Sequence, residues 1–167
     1  MPRLLSITTD ILMERGKPLS QTIFNGLTAP LKWEPQYRKG EFFMFKIHSV
    51  EGGYVPSFEY HSFYGMTPKI GMALTYGADY LEKCGAEENP EYICMGEIPD
   101  GVTSGKVPVI KVSDDIIFET ETENELSGVS FGGMYKLSAD GMTVIGETGG
   151  HARLIYKDGN TARVRFE

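Results

Sequence analysis

Residues 151–166, "HARLIYKDGNTARVRF", decide the fold. Two runs rich in branched and aromatic side chains, 151–156 and 161–166, flank Asp158-Gly159, a dipeptide suited to the positive backbone angles of a tight hairpin turn. This is the strongest local signal in the chain, and it predicts an antiparallel strand pair. The same grammar recurs upstream. Residues 134–137 and 142–145 are separated by Asp140-Gly141, and Gly149-Gly150 closes that pair before 151. Residues 107–112 and 116–120 form two more β-rich runs, with Pro108 predicting a sheet edge or a strand opening because proline cannot donate to a ladder. Residues 91–95 follow an acidic loop containing Asn89-Pro90, and 72–76, Gly77-Ala78 and 79–84 read as a hairpin. Residues 45–50 alternate apolar and polar at period two and stop at Gly52-Gly53, before the aromatic-rich run 54–64.

Many short strands at this spacing predict an all-β chain, a small β-barrel or β-sandwich with an extended N-terminal arm. The 167 residues, 41% of them hydrophobic, suffice for one domain with a real core and are few for two. Twenty glycines and nine prolines suit turns better than long helices. Three stretches are expected: an extension over 1–43, an aromatic-rich leading segment over 44–64, and a barrel-like body over 65–167. In the extension, residues 6–15 predict a short helix stopped by Gly16, while Pro18, Pro30 and Pro35 break anything longer around Trp33, the only tryptophan.

Charge divides at the same place. Residues 1–43 carry six Lys/Arg against four Asp/Glu, and residues 44–167 carry ten against nineteen, a balance of +2 followed by −9. An acidic body repels phosphate backbones, so no nucleic-acid partner is expected. No apolar run reaches the length of a membrane span, and Asp10 and Glu14 interrupt the N-terminus before a signal-peptide core develops, so a soluble chain without a membrane partner is expected. Cys84 and Cys94, ten apart, match neither a disulfide framework nor a C-x-x-C pair, and read as buried core residues in a reducing compartment.

No constellation points to catalysis, a cofactor or a metal. His48, His61 and His151 lack ligand spacing, and a metal or His/Glu enzyme site would have to be assembled by the fold alone. Ser127 and Ser130 lie in a glycine-rich loop without a nucleophile-elbow pattern. Gly52-Gly53, Gly132-Gly133 and Gly149-Gly150 lack the Lys-Ser/Thr of a phosphate loop and read as turns or bulges. Residues 118–125 place Glu119, Glu121, Glu123 and Glu125 on one strand face with threonines opposite. A cation site or docking stripe is conceivable there, but a solvated strand end that discourages edge pairing is the better reading. The run 44–64, with Phe45, Tyr54, Phe58, Tyr60, Phe63 and Tyr64, would suit addition to a partner's sheet, while ordinary core strands account for it slightly better.

The ordered phrases "FKIHSVEGG" (45–53), "TPKIGMAL" (67–74), "EYICM" (91–95), "VPVIKV" (107–112), "IIFET" (116–120) and "ARVRF" (162–166) resemble small tailed-phage head decoration, or capsid cement, proteins of phages and prophages of Gram-positive gut bacteria. The resemblance covers residues 44–167. It implies a β-barrel-like domain, commonly a homotrimer, seated on the outer capsid at local three-fold positions, with the major capsid protein as partner and no catalysis or cofactor. The virion surface is then its location, after assembly in the bacterial host cytoplasm. The resemblance also implies that Phe45, Ile47, His48, Tyr54, Phe58 and Tyr60 are arm or early-strand residues touching the capsid or a neighbouring subunit. Relatives of this kind begin near Met44, and Arg38-Lys39-Gly40-Glu41 is encodable by a purine-rich ribosome-binding sequence, so translation is expected to start at Met44. A genuine arm anchored by Trp33 is the rival expectation. In the alternative reading, Tyr54, Phe58, Tyr60, Tyr64 and Tyr76 form an exposed platform of a non-catalytic carbohydrate- or surface-binding β module.

Overall fold

The computed structural model describes residues 44–122 and 126–167. The expected extension over 1–43, with its helix and Trp33, and the carboxylates Glu123 and Glu125, lie outside the described residues. Eleven described strands run β1 (Lys46–Val50), β2 (Phe58–Tyr64), β3 (Ala73–Tyr76), β4 (Leu81–Lys83), β5 (Tyr92–Cys94), β6 (Ser104–Lys111), β7 (Ile116–Glu121), β8 (Met134–Leu137), β9 (Val144–Thr148), β10 (Ala152–Asp158) and β11 (Thr161–Phe166). The protein is all-β. One six-stranded sheet has the order β1-β7-β11-β10-β8-β9, and β2-β4-β3-β5-β6 close into a barrel. Both lie in the same compact unit.

The hairpin that decides the fold forms as read: Asp158 pairs with Thr161 across Gly159-Asn160, and Gly159 takes a φ of +53°. Alternation then sorts the side chains. On β11, Ala162, Val164 and Phe166 are buried while Thr161, Arg163 and Arg165 point the other way. On β7, Ile116, Phe118 and Thr120 are buried in the same manner, as is Thr122 just beyond its end. The inner face so formed packs on one wall of the barrel, where Ala73, Ile93 and Ile110 join the same core. Phe166 ties it together, with ring centroids 5.3 Å from Phe45 and 5.7 Å from Phe118. Each fully buried ring contributes about 1.5–3 kcal/mol of transfer free energy. Phe63, Leu74, Leu81, Cys94, Val107 and Val109 are also buried but stand apart from that cluster, and the strand alternation points them into the barrel.

Three expectations change. The segment 44–64 is not one unit: β1 pairs with β7 in the sheet, whereas β2 pairs with β6 and β4 in the barrel. Accordingly the body 65–167 is not a single barrel, but supplies strands to both. Pro108 lies neither at an edge nor at a strand opening, because β6 has β2 on one side and β5 on the other. Its carbonyl accepts from the Met95 N–H, so its own missing N–H falls on the β5 side, just where β5 ends. The chain tolerates proline there because that rung is the last. Lastly, Glu119 is not on a solvated strand end. β7 is flanked by β1 and β11, and Glu119 stands opposite Lys46 and Arg163.

One glycine holds the halves together. Gly71 (φ +74°) accepts from the Phe45 N–H at 3.1 Å and donates to the Cys94 carbonyl at 2.7 Å. A Cβ there would lie 2.5 Å from the Met44 Cβ and 2.8 Å from the Phe45 backbone. Only glycine lets the strand entering the sheet pass this close to the barrel.

Candidate functional site

Two surfaces collect the residues of interest. On the outer face of the sheet, Glu119 is 2.9 Å from Lys46 Nζ, 2.8 Å from Arg163 Nε and 3.4 Å from His48 Nδ1. Burial pushes the Glu119 carboxyl up, but the hydrogen bonds from Arg163 and Lys46 outweigh it and hold the group below its ordinary value. His48 is lowered, first by burial and then by Arg163 and Lys46, with Glu119 opposing. Arg163 also stacks 4.5 Å over the Tyr156 ring, Arg165 bonds Glu51, and Arg153 meets Glu167 at 2.5 Å. The alternation of "RVRF" therefore builds a charge-matched face in which each arginine has its carboxylate.

The barrel is different. On β2, Phe58, Tyr60, Ser62 and Tyr64 point outward, and Glu59, His61 and Phe63 inward. Tyr60 and Tyr64 are each 68% exposed, and Tyr64 lies beside Tyr80 with ring centroids 5.6 Å apart. Across β6 the outward neighbours of Tyr60, Ser62 and Tyr64 are Pro108, Lys106 and Ser104. The result is a wall of phenol rings with polar residues between them. At the end of the barrel where β3 stops and β5 begins, His61 Nε2 lies 2.8 Å from Glu59 Oε2. Its ring sits 4.7 Å from Tyr92 and 5.5 Å from Tyr76. Glu91 accepts from the Thr75 hydroxyl at 3.2 Å and from the Tyr76 N–H at 3.5 Å. Burial, and then the charges of Glu59 and Glu91, push the Tyr92 phenol up.

The six residues expected at a contact fall into three groups. Phe45 is fully buried and Ile47 packs on the same core, so both serve the fold. His48 faces outward within the ion-paired network. Tyr54, Phe58 and Tyr60 are exposed, and the Tyr54 hydroxyl donates to Asp115 at 2.5 Å, which in turn accepts from Ser113. All five aromatics of the platform reading, Tyr54, Phe58, Tyr60, Tyr64 and Tyr76, are at the surface. They do not share one plane: Tyr76 belongs to the barrel end and Tyr60 and Tyr64 to the wall. Sequence reasoning missed Tyr80 and the grouping of Glu59, His61, Tyr76, Tyr92 and Glu91. The i, i+2 spacing of Glu59 and His61 on a strand was the available signal.

Both cysteines are buried and free, as their spacing suggested. Desolvation pushes Cys84 up to about 12 and Cys94 to about 11, so neither is a nucleophile near neutrality. Among the described residues no three His, Cys, Asp or Glu side chains come together as a metal site, and no helix is long and apolar enough to cross a membrane. His151 is used locally, its Nδ1 2.7 Å from the Glu167 carbonyl. No protein-family model, curated protein or solved structure matches this chain.

Proposed function

We propose that this protein is a non-catalytic structural protein of a tailed-phage virion, binding the outer surface of the expanded capsid and stabilising it. The observation that carries the reading is the exposed wall of Tyr60, Tyr64 and Tyr80 on a closed barrel. Tyrosines offer large, rigid contact area at low entropy cost and are enriched in protein interfaces. Closure leaves the barrel no free strand edge, so the wall presents side chains rather than an unpaired backbone. The ordered phrases over 45–166 supply the class of partner, the major capsid protein. A weak contact of this size suffices when a homotrimer engages many equivalent lattice sites at once. An acidic body keeps such a protein off packaged DNA.

The test adds purified protein to expanded heads that lack it, and measures co-sedimentation and resistance to heat or chelator. Saturable binding with a gain in resistance is expected, and loss of binding in Tyr60→Ser/Tyr64→Ser. Failure of the wild-type chain to bind, with no gain in resistance, overturns the reading.

The second reading, a carbohydrate- or surface-binding β module, draws on the same exposure of phenol rings separated by Ser62, Lys106 and Ser104. It expects saturable binding to a polysaccharide that is lost in the same double variant, with no binding to heads.

A further inference from the structure

We propose that Arg153 and Arg165, side by side on the outer face of the sheet, form a binding site for a tetrahedral dianion of the phosphate class. The two residues stand directly opposite each other across β10 and β11, on the outward side of both strands. Like charges in that position repel. Each is neutralised by one carboxylate through a terminal guanidinium nitrogen, Arg153 by Glu167 at 2.5 Å and Arg165 by Glu51. Arg163, on the same face of β11, meets Glu119 through its Nε instead, at 2.8 Å.

The other donor of each residue sets the pair apart. Among the described residues, the buried side-chain nitrogens and oxygens without a hydrogen-bond partner are Arg153 Nε and Arg165 Nε. A shielded N–H of a charged group with no acceptor is unfavourable, and both stand at one rung of one hairpin. Glu51 and Glu167 do not relieve them, because each engages only a terminal nitrogen. A guanidinium offers its donors as a fork for bidentate recognition of an oxyanion, and in both residues the Nε prong is idle.

Charge and reach select the ligand. Glu51 stands just after β1 and Glu167 just after β11, so neither lies within a strand, and the Glu51 side chain is 62% exposed. The Nε atoms are shielded while these carboxylates hold the guanidiniums, so binding is an exchange in which Glu51 and Glu167 turn out to solvent. One dianion then replaces two monoanions, and the arginine pair stays balanced; chloride or a monocarboxylate leaves it one charge short. A tetrahedral anion also has oxygens enough to accept from the Nε and a terminal nitrogen of both residues, whereas a carboxylate has two. Free phosphate and a phosphomonoester share this chemistry. The inference does not rest on the head-binding reading, which concerns the tyrosines of the barrel.

The probes are inorganic phosphate and Nα-acetyl-phosphoserine amide, titrated into the isotopically labelled full-length chain at constant ionic strength just above neutral pH. The arginine Nε–H resonances are followed by NMR. Saturable shifts of the Arg153 and Arg165 signals are expected, while that of Arg163, already engaged by Glu119, stays in place. The dissociation constant should rise about tenfold in Arg153→Gln and fall about threefold in Glu51→Gln, which removes a competing carboxylate. It should be unchanged in Lys69→Gln, an exposed lysine elsewhere. Should Arg153→Gln fail to fold, Arg153→Lys keeps the charge, loses the fork and carries the same expectation. Saturation by phosphate alone assigns the site to the free ion, and saturation by the phosphoserine probe alone to a phosphorylated partner segment; either supports the proposal. No saturable shift overturns it. So do equal shifts with acetate or chloride, or equal movement of the Arg163 signal, which mark charge screening. None of these outcomes depends on binding to heads, so the two readings fail separately.

Discussion

The outer face of the six-stranded sheet and the exposed parts of the barrel carry similar residue types, and use them oppositely. On the sheet, cross-strand register brings Lys46, Glu119 and Arg163 side by side, so charges satisfy one another within the chain. On the barrel, Tyr60, Tyr64 and Tyr80 face solvent, Glu59 meets only His61, and Glu91 accepts from the Thr75 hydroxyl and the Tyr76 N–H. Exposed ion pairs add little to stability, typically under about 1 kcal/mol each. The difference is thus less about stability than about what remains available to a partner. The carboxylates of the sheet are paired with arginine or lysine, while the barrel turns its phenol rings to solvent.

If that division holds, substitutions in the shared core should cost most. Phe118→Ala removes a fully buried ring that touches Phe166, and is expected to destabilise by about 3–5 kcal/mol in chemical denaturation. A loss under about 1 kcal/mol would mean that sheet and barrel do not share one core. Gly71→Ala forces a Cβ onto the Phe45 backbone at a positive φ, with an expected loss of about 2–4 kcal/mol. An unchanged unfolding midpoint would show that the seam between the halves can open without penalty.

Acid sharpens the comparison because the resolved carboxylate and histidine shifts of the network belong to the sheet. His48 is lowered below 6.5, so the unfolded chain takes up that proton more readily. Its contribution is full above pH 6.5 and is lost as pH falls through the lowered folded value. Glu119 is lowered below 4.5, and its contribution is lost in turn as pH falls below 4.5. Urea midpoints measured against pH should fall in these two windows, and His48→Gln should remove the upper step alone. An upper step that survives in His48→Gln assigns it to another group.

The smallest effect on stability is expected at the tyrosine wall. Tyr60→Ser/Tyr64→Ser alters exposed rings, and its unfolding midpoint should stay within about 0.5 kcal/mol of wild type while binding to heads is lost. A large drop in stability would reassign the wall to folding.

Much of the strand layout was legible in the sequence. Alternation and turn chemistry located β3, β4, β8, β10 and β11 closely, because both act over two to four residues. Pro108 misled because the rule about edges concerns one missing N–H, and a strand that loses its neighbour at that rung meets the rule while staying central. Glu119 misled for a related reason: period two showed that it shared a face with Glu121, but not which basic residues would lie across from it. Tyr60 and Tyr64 were recognised as candidates, whereas Tyr80 and Tyr92 join their clusters through pairing partners distant in sequence.

The sequence by itself determined the all-β class, the short strands and the side to which each side chain turns, since these follow from backbone sterics and local alternation. Tertiary structure alone decided that β1 and β2, eight residues apart, belong to different sheets, and that β2 closes a barrel with β6 and β4. Strand partnership depends on which faces can be buried together across the whole chain, and a local pattern holds no record of it. The same physics separated Phe45, sealed in the core, from Tyr60, left in solvent, although both stand in the same aromatic run.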